Sequence, residues 1–280
     1  MARIITLLSD FGTQDVYVGV IKGVIAQIAP QVTIVDLTHQ IPPQNVALAS
    51  FQLAIAQAHF PAGTVHLAVV DPGVGGSRRG IAFQTAQNYF VGPDNGLFTG
   101  ILATASSARS VAVELTNSKY WYNPQPSPTF HGRDIFAAVA AHLANGVHLR
   151  DFGPAIPPTR LLRLPLRHHQ PTETGFAGAI QAIDRFGNLI TTLPSDCVSG
   201  QAWTIQAAGK VIPGVCTYSD RPYGAMIGLI GSHGWLEIAV NGGNAQVTLG
   251  LGLGDPVQVI ILVEETEQTD SGGANASSTG

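Results

Sequence analysis

Along the first half of the chain, short apolar runs alternate with longer stretches whose apolar residues recur every three or four positions. Ile4 to Leu8 reads as a buried strand, and Ser9-Asp10-Phe11-Gly12-Thr13 as the loop behind it. Val16 to Ala29 is helix-like, with Thr13 or Asp15 as its cap and Pro30 just beyond its end. Val32 to Leu37 is a second strand, Asn45 caps a helix over Val46 to Ala58, and Val65 to Val70 is a third strand. This β-α-β-α-β order predicts a parallel sheet with helices on its faces. Ile81 to Thr85, Tyr89 to Val91 and Val111 to Leu115 add short strands, with Gly92 to Gly96 as a turn into a short helix. A Pro-rich linker, Asn123 to Pro128, runs toward a helix over Ile135 to Asn145 that Gly146 stops.

The pattern changes after Gly153, where five prolines crowd a stretch without periodicity. Beyond Gly175 it is β throughout: Gly178 to Ile183, Leu189 to Leu193, Ala202 to Ala207, Val211 to Thr217, Met226 to Ile230, Trp235 to Val240 and Val257 to Val263. Short strands at this spacing predict a small barrel or sandwich. The expected organisation is an α/β N-terminal domain over residues 1–165 with a mainly parallel central sheet, and an all-β C-terminal domain over residues 175–265. A Ser/Gly/Asn/Thr-rich tail, residues 266–280, is expected to be disordered.

Composition narrows the partners. Of 280 residues, 45% are hydrophobic and only 11% charged, little for a freely exposed monomer, so a homo-oligomer is expected. The net charge is −4 and no Lys/Arg cluster exceeds Arg78-Arg79, so no nucleic-acid partner is expected. Cys197 and Cys216 form neither a CxxC pair nor a zinc spacing, which suits free thiols in a reducing compartment. The first apolar run is too short for a signal core or a membrane span. A cytoplasmic location without membrane contact is the expectation.

Candidate chemistry gathers in Val69 to Arg79, where an apolar strand ends in Asp71 and turns through Pro72 and three glycines toward two arginines. Strand ends opening into Gly-rich loops hold ligands in α/β proteins. A tight turn with a surface salt bridge is the plain alternative. Asp10, Asp36, Asp71 and Asp184 all follow strands or sit in turns. A carboxylate offers two acceptor oxygens to a ribose diol, and Asp10 is the candidate, against a simple helix-capping role. Asp36 reads as structural. His131 precedes a helix whose positive end disfavours imidazolium, which suits either a neutral proton relay or a plain cap. No HExxH or similar spacing occurs among the nine histidines, so no metal is expected. Ser232, in Gly-Ser-His-Gly, is not the G-x-S-x-G of a serine hydrolase. Arg185 to Asn188 and Asn241 to Asn244 read as hairpin turns.

Six motifs follow one another in order: Leu8-Ser9-Asp10-Phe11-Gly12, Val70-Asp71-Pro72-Gly73-Val74-Gly75, Gly92-Pro93-Asp94-Asn95-Gly96-Leu97, Thr129-Phe130-His131-Gly132-Arg133-Asp134, Ile183-Asp184-Arg185-Phe186-Gly187-Asn188 and Ile238-Ala239-Val240-Asn241-Gly242-Gly243-Asn244. Together they resemble the S-adenosyl-L-methionine (SAM) hydrolases, or SAM hydroxide adenosyltransferases, relatives of the fluorinating and chlorinating SAM enzymes. The likeness runs from Ile4 to about Val263. It implies an α/β N-terminal domain, a β-barrel C-terminal domain, and a homotrimer binding SAM between one subunit's N-terminal domain and its neighbour's C-terminal domain. The implied reaction converts SAM and water to adenosine and methionine without a cofactor. By motif position, the water-activating set falls on Asp71, Arg78 and His131, and the ribose acid on Asp10. The barrel's binding residues fall on Asp184, Phe186, Asn188, Ser232, Glu237 and the Val240 backbone, with Phe130 and Phe186 as candidate aromatic walls. Halogenating relatives carry other residues where Asp71 and His131 stand, so the chain resembles the hydrolytic branch. A SAM-dependent 5′-halogenase and a SAM- or adenosine-binding module without turnover are the alternatives.

Overall fold

A computed structural model describes residues 4–104, 110–165 and 169–262. The expected tail, 266–280, lies outside these residues. The chain divides into two compact units, Met1–Leu166 and Arg167–Gly280.

In the first unit β1 (Ile4–Ser9), α1 (Tyr17–Ile28), β2 (Thr33–Thr38), α2 (Val46–Gln57) and β3 (Val65–Val69) alternate as the hydrophobic pattern predicts. Next come β4 (Gly80–Gln84), β5 (Tyr89–Pro93), α3 (Thr99–Thr104), β6 (Val111–Glu114), a π-helical segment (Gly132–Ala137) continuing into α4 (Ala138–Ala144), and β7 (Ala155–Ile156). The seven strands lie in the order β2-β1-β3-β5-β4-β6-β7. Pairing is parallel from β2 through β1 and β3 to β5, and antiparallel from β5 through β4 and β6 to β7. The sheet is therefore mixed rather than mainly parallel. The physical reason lies in the connection: β4 and β5 are joined by a turn at residues 85–88, too short for the crossover that parallel strands need.

Side chains of β3 alternate between two cores. Val65, Leu67 and Val69 pack toward α1 and α4, while Ala68 and Val70 pack with α2 and α3. Burial on both faces explains why the strand reads as one apolar run. Each fully buried side chain such as Leu67 or Phe136 contributes about 1.5–3 kcal/mol. Asn45 caps α2, its Oδ1 accepting from Leu48 N at 3.0 Å. The caps expected for α1 are absent: its N-cap is Val16, with no side-chain bond, and Thr13 accepts from Gln40 instead. The helix expected from Ile135 starts at Gly132, which sits so close to Val69 and Ile21 that a Cβ would come within 3.3 and 3.4 Å of them.

The second unit holds β8 (Gln170–Thr172), β9 (Gly175–Ile183), β10 (Leu189–Pro194), β11 (Ala202–Ala207), β12 (Lys210–Pro213), β13 (Met226–Ile230), β14 (Trp235–Val240), α5 (Ala245–Leu249) and β15 (Pro256–Leu262). They form one antiparallel sheet, β12-β11-β15-β9-β10-β14-β13, with β8 on β9. Val215 N donates to Gly228 O at 2.9 Å and Gly214 bridges Gly228, bringing the two edge strands together into a nearly closed barrel. Trp203 fills this closure, since a Cβ on Gly214 would lie 2.4 Å from its ring. Two expectations change here. The strand expected through Thr217 ends at Pro213, which offers no N–H to a ladder. Asn241 to Asn244 is not a hairpin but the lead into α5, whose Val247 N donates to Asn244 Oδ1 at 2.8 Å.

Candidate active site

Ser9 pairs with Val69 across parallel neighbours β1 and β3. Asp10 and Asp71 therefore leave adjacent strand ends at the carboxyl edge, the place where open α/β sheets hold ligands. Asp10 does not cap α1. Its Oδ2 accepts from Gln44 N at 2.8 Å, and Gln44 adopts φ 66°, a left-handed conformation uncommon for a side chain of this kind.

Behind Asp71 the glycine loop returns Arg78 to it. Arg78 Nε donates to Asp71 Oδ1 and Oδ2 at 2.9 and 3.1 Å, and Nη2 donates to Oδ2. The same Nη2 lies 2.8 Å from His131 Nδ1. Arginine only donates, so His131 Nδ1 carries a lone pair and the imidazole proton sits on Nε2. Burial lowers the His131 pKa, the Arg78 charge lowers it further, and Asp71 and Asp134 oppose part of the effect. The direction matches the sequence expectation, but the cause is burial and Arg78 rather than the helix end. The guanidinium also lies over the Phe136 ring, 5.3 Å from its centroid.

The strap carrying His131 is pinned twice. Gly75 has φ 75°, and a Cβ there would lie 2.1 Å from Pro128 O, so only glycine lets the loop touch the strap. Asp134, fully buried, accepts from Ser127 N at 2.8 Å and forms an ion pair with Arg133, whose guanidinium covers Phe130 at 5.3 Å. Asp10, Asp71 and His131 line a cleft of about 430 Å³, walled by Phe11, Tyr17 and Phe130. The three rings meet at 5.3 to 5.9 Å. Arg78, its side chain 10% exposed, stands behind Asp71 and His131.

The second unit holds its own cluster. Asp184 Oδ1 accepts from Phe186 N and Asn188 N, both at 2.9 Å, and Oδ2 accepts from Asn188 Nδ2 at 2.9 Å. Asn188 Nδ2 also reaches Tyr218 Oη at 3.3 Å, and Tyr218 donates to Glu237 Oε1 at 2.6 Å. His233 Nε2 lies 3.2 Å from Glu237 Oε2. Burial pushes the Glu237 carboxyl up, but the bonds from His233 and Tyr218 outweigh it and hold it below the ordinary value. Burial, reinforced by Glu237, pushes the Tyr218 phenol well above its usual range. Ser232 is exposed in the β13–β14 turn, directly after Gly231, where a Cβ would lie 2.8 Å from Glu237 Oε2. The Val240 carbonyl accepts from Gly243 N at 2.9 Å, and Phe186 projects from its turn, 75% exposed.

Among the predicted residues, Asp10, Asp71, Arg78, Phe130 and His131 gather in the first unit, and Asp184, Asn188 and Glu237 are joined by hydrogen bonds in the second; the exposed Phe186 and Ser232 side chains and Val240 are not tied into that network. Sequence reasoning missed Phe11, Tyr17, Asp134 and Tyr218 as site neighbours. Phe11 and Asp134 stood within the recognised motifs, whereas nothing in the local pattern marked Tyr218. Asp36, read as structural, pairs with Lys22 at 2.6 Å and lies 3.2 Å from His39. Among the described residues no three His, Cys, Asp or Glu side chains converge to hold a metal ion, and no helix is long and apolar enough to cross a membrane.

Comparison with known proteins points one way. The family models for the SAM hydroxide adenosyltransferase N-terminal and C-terminal domains match residues 5–153 and 178–258. An (R)-S-adenosyl-L-methionine hydrolase of Thermus thermophilus is 42% identical, covering 92% of this chain and all of its own. A fluorinase of an Actinoplanes species is 29% identical over 85% of this chain and 91% of its own. A crystal structure of an uncharacterized conserved protein from Thermotoga maritima superposes with a TM-score of 0.85 at 36% identity, covering 91% of this chain and 99% of that one. The chain belongs to the SAM hydroxide adenosyltransferase family.

Proposed function

We propose that this protein hydrolyses SAM to adenosine and L-methionine, by in-line attack of water on the 5′ carbon. The observation that carries the reading is the Asp71–Arg78–His131 cluster beyond the carboxyl end of β3, in a chain whose hydrolase relative is the more similar and whose fluorinase relative the more distant.

Methionine departs as a neutral thioether, so its departure needs no general acid. Water is the weaker partner. Making free hydroxide at pH 7 from water of pKa near 15.7 costs roughly 12 kcal/mol. Alignment of a neutral water contributes about 7–11 kcal/mol and avoids that cost. With Nδ1 engaged by Arg78, His131 offers its Nε2 proton to the water oxygen. Asp71 keeps lone pairs beyond those Arg78 uses and accepts a water proton. The C5′–O bond forms as C5′–S breaks. The oxonium product is strongly acidic, so a carboxylate is basic enough to take its proton. Arg78 orients Asp71 and His131 rather than serving as base. In this reading Asp10 holds the ribose, and Phe130 with Phe11 and Tyr17 excludes water from the dispersing positive charge. Asp184, Phe186, Asn188, Ser232, Glu237 and the Val240 backbone bind the substrate from the barrel.

The same reading includes a cytoplasmic homotrimer with sites between subunits. Its support is the division of the candidate residues into two clusters on two units, and free thiols at Cys197 and Cys216. The test is incubation of the pure protein with SAM in oxygen-18 water. Label in the adenosine 5′ hydroxyl is expected. Label elsewhere, or 5′-chloro-5′-deoxyadenosine on adding chloride, overturns the hydrolytic mechanism.

A further inference from the structure

Tyr218 stands in the short turn Tyr218–Asp220 between β12 and β13, held by a capping box of Thr217 and Asp220. Its ring is 43% exposed and takes no part in the buried barrel core. The hydroxyl nevertheless joins two side chains from different parts of the barrel. It donates to Glu237 Oε1 on β14 and accepts from Asn188 Nδ2 in the turn just before β10.

Asn188 uses both amide hydrogens, one on Asp184 Oδ2 and one on Tyr218, so Oδ1 is the atom left for a ligand donor. Trp235 N donates to His233 Nδ1 at 3.2 Å, which puts that imidazole proton on Nε2, facing Glu237 Oε2. Glu237 thus has one donor on each oxygen. Without the phenol, Glu237 Oε1 and one amide hydrogen of Asn188 both lose a partner, and both side chains are free to turn.

We propose that Tyr218 is a positioning residue for the substrate, acting through Asn188 and Glu237 to set the amide orientation and the carboxylate rotamer before SAM binds. The proposal rests on the reading that Asn188 and Glu237 bind SAM. Preorganised groups give tighter binding because less ordering is lost on association.

The test is Tyr218→Phe, which removes one oxygen from a half-exposed ring. KM for SAM is expected to rise about tenfold, equivalent to about 1.4 kcal/mol, with kcat within about twofold, since Asp71 and His131 are untouched. On a Glu237→Ala background the same change is expected to raise KM no more than about threefold, because part of its route is already gone. Glu237→Gln serves if the alanine variant does not fold. Adenosine affinity by calorimetry is followed in parallel. An unchanged KM in Tyr218→Phe, a fall in kcat alone, or an equal effect on both backgrounds overturns the proposal while wild-type turnover stands. Wild-type protein that neither releases nor binds adenosine overturns the functional reading, and this inference with it.

Discussion

Arg78 Nη2 and His131 Nδ1 lie 2.8 Å apart, and because a guanidinium can only donate, the contact selects the neutral imidazole with its proton on Nε2. Burial and the Arg78 charge both disfavour imidazolium there. His131 is therefore expected to titrate below the ordinary histidine value of 6.5, and activity to persist as pH falls through that value. Arg78→Met removes the nearby positive charge, so the His131 titration moves upward. Nitrogen-15 NMR of the imidazole reads both the tautomer and the shift. A His131 that is protonated on Nδ1, or titrates above its ordinary value in the unchanged protein, contradicts this assignment.

Asp71→Asn keeps the shape of the side chain and removes its charge and its ability to take a proton. A group acting on water in the transition state typically contributes 10²–10⁴-fold. The expected outcome is a fall in kcat of about that size with KM within about threefold, read by steady-state adenosine release. Loss confined to KM assigns Asp71 to binding instead.

What the sequence made legible was local. Strand ends point to Asp10 and Asp71, an Asn before an apolar helix marks the Asn45 cap, and the Asp184–Asn188 turn follows from its own composition. What it concealed depends on long-range contact. An apolar run does not state strand direction, so the antiparallel half of the first sheet was hidden until β4 and β5 paired. The low proton affinity of His131 comes first from burial in the folded cleft and then from Arg78, 53 positions away, and neither can be seen in the local sequence. Tyr218 escaped because the run after Val211 reads as a strand through Thr217, whereas Pro213 ends it and the next residues turn.

His66 offers a test of stability against pH. It is fully buried in β3, its Nδ1 lies 2.7 Å from Thr6 Oγ1, and its ring stacks on Phe90 at 5.0 Å. Burial lowers its pKa from 6.5 to about 4. The unfolded chain then binds a proton that the folded one refuses. This stability is fully present above pH 6.5 and is lost progressively as pH falls toward 4, by about 3 kcal/mol in all. Denaturant titrations between pH 7 and 4 read the slope. In His66→Leu the slope over that window flattens, whatever packing cost the variant carries; an equally steep slope removes His66 as its source.

Gly75 and Gly63 separate backbone strain from close approach. Both hold positive φ, 75° and 87°, but a Cβ at Gly63 meets nothing within 4 Å, whereas at Gly75 it would lie 2.1 Å from Pro128 O. Gly63→Ala carries only the strain of a left-handed alanine, about 1–3 kcal/mol, and its kcat is expected to match the wild type. Gly75→Ala must also push away the backbone of the strap that carries Phe130 and His131. Its melting temperature is expected to fall further than that of Gly63→Ala, with kcat lowered about tenfold or more, since small displacements of aligned groups are costly to turnover. Equal kcat in the two variants shows that the contact between the glycine loop and Pro128 does not hold His131 against Asp71.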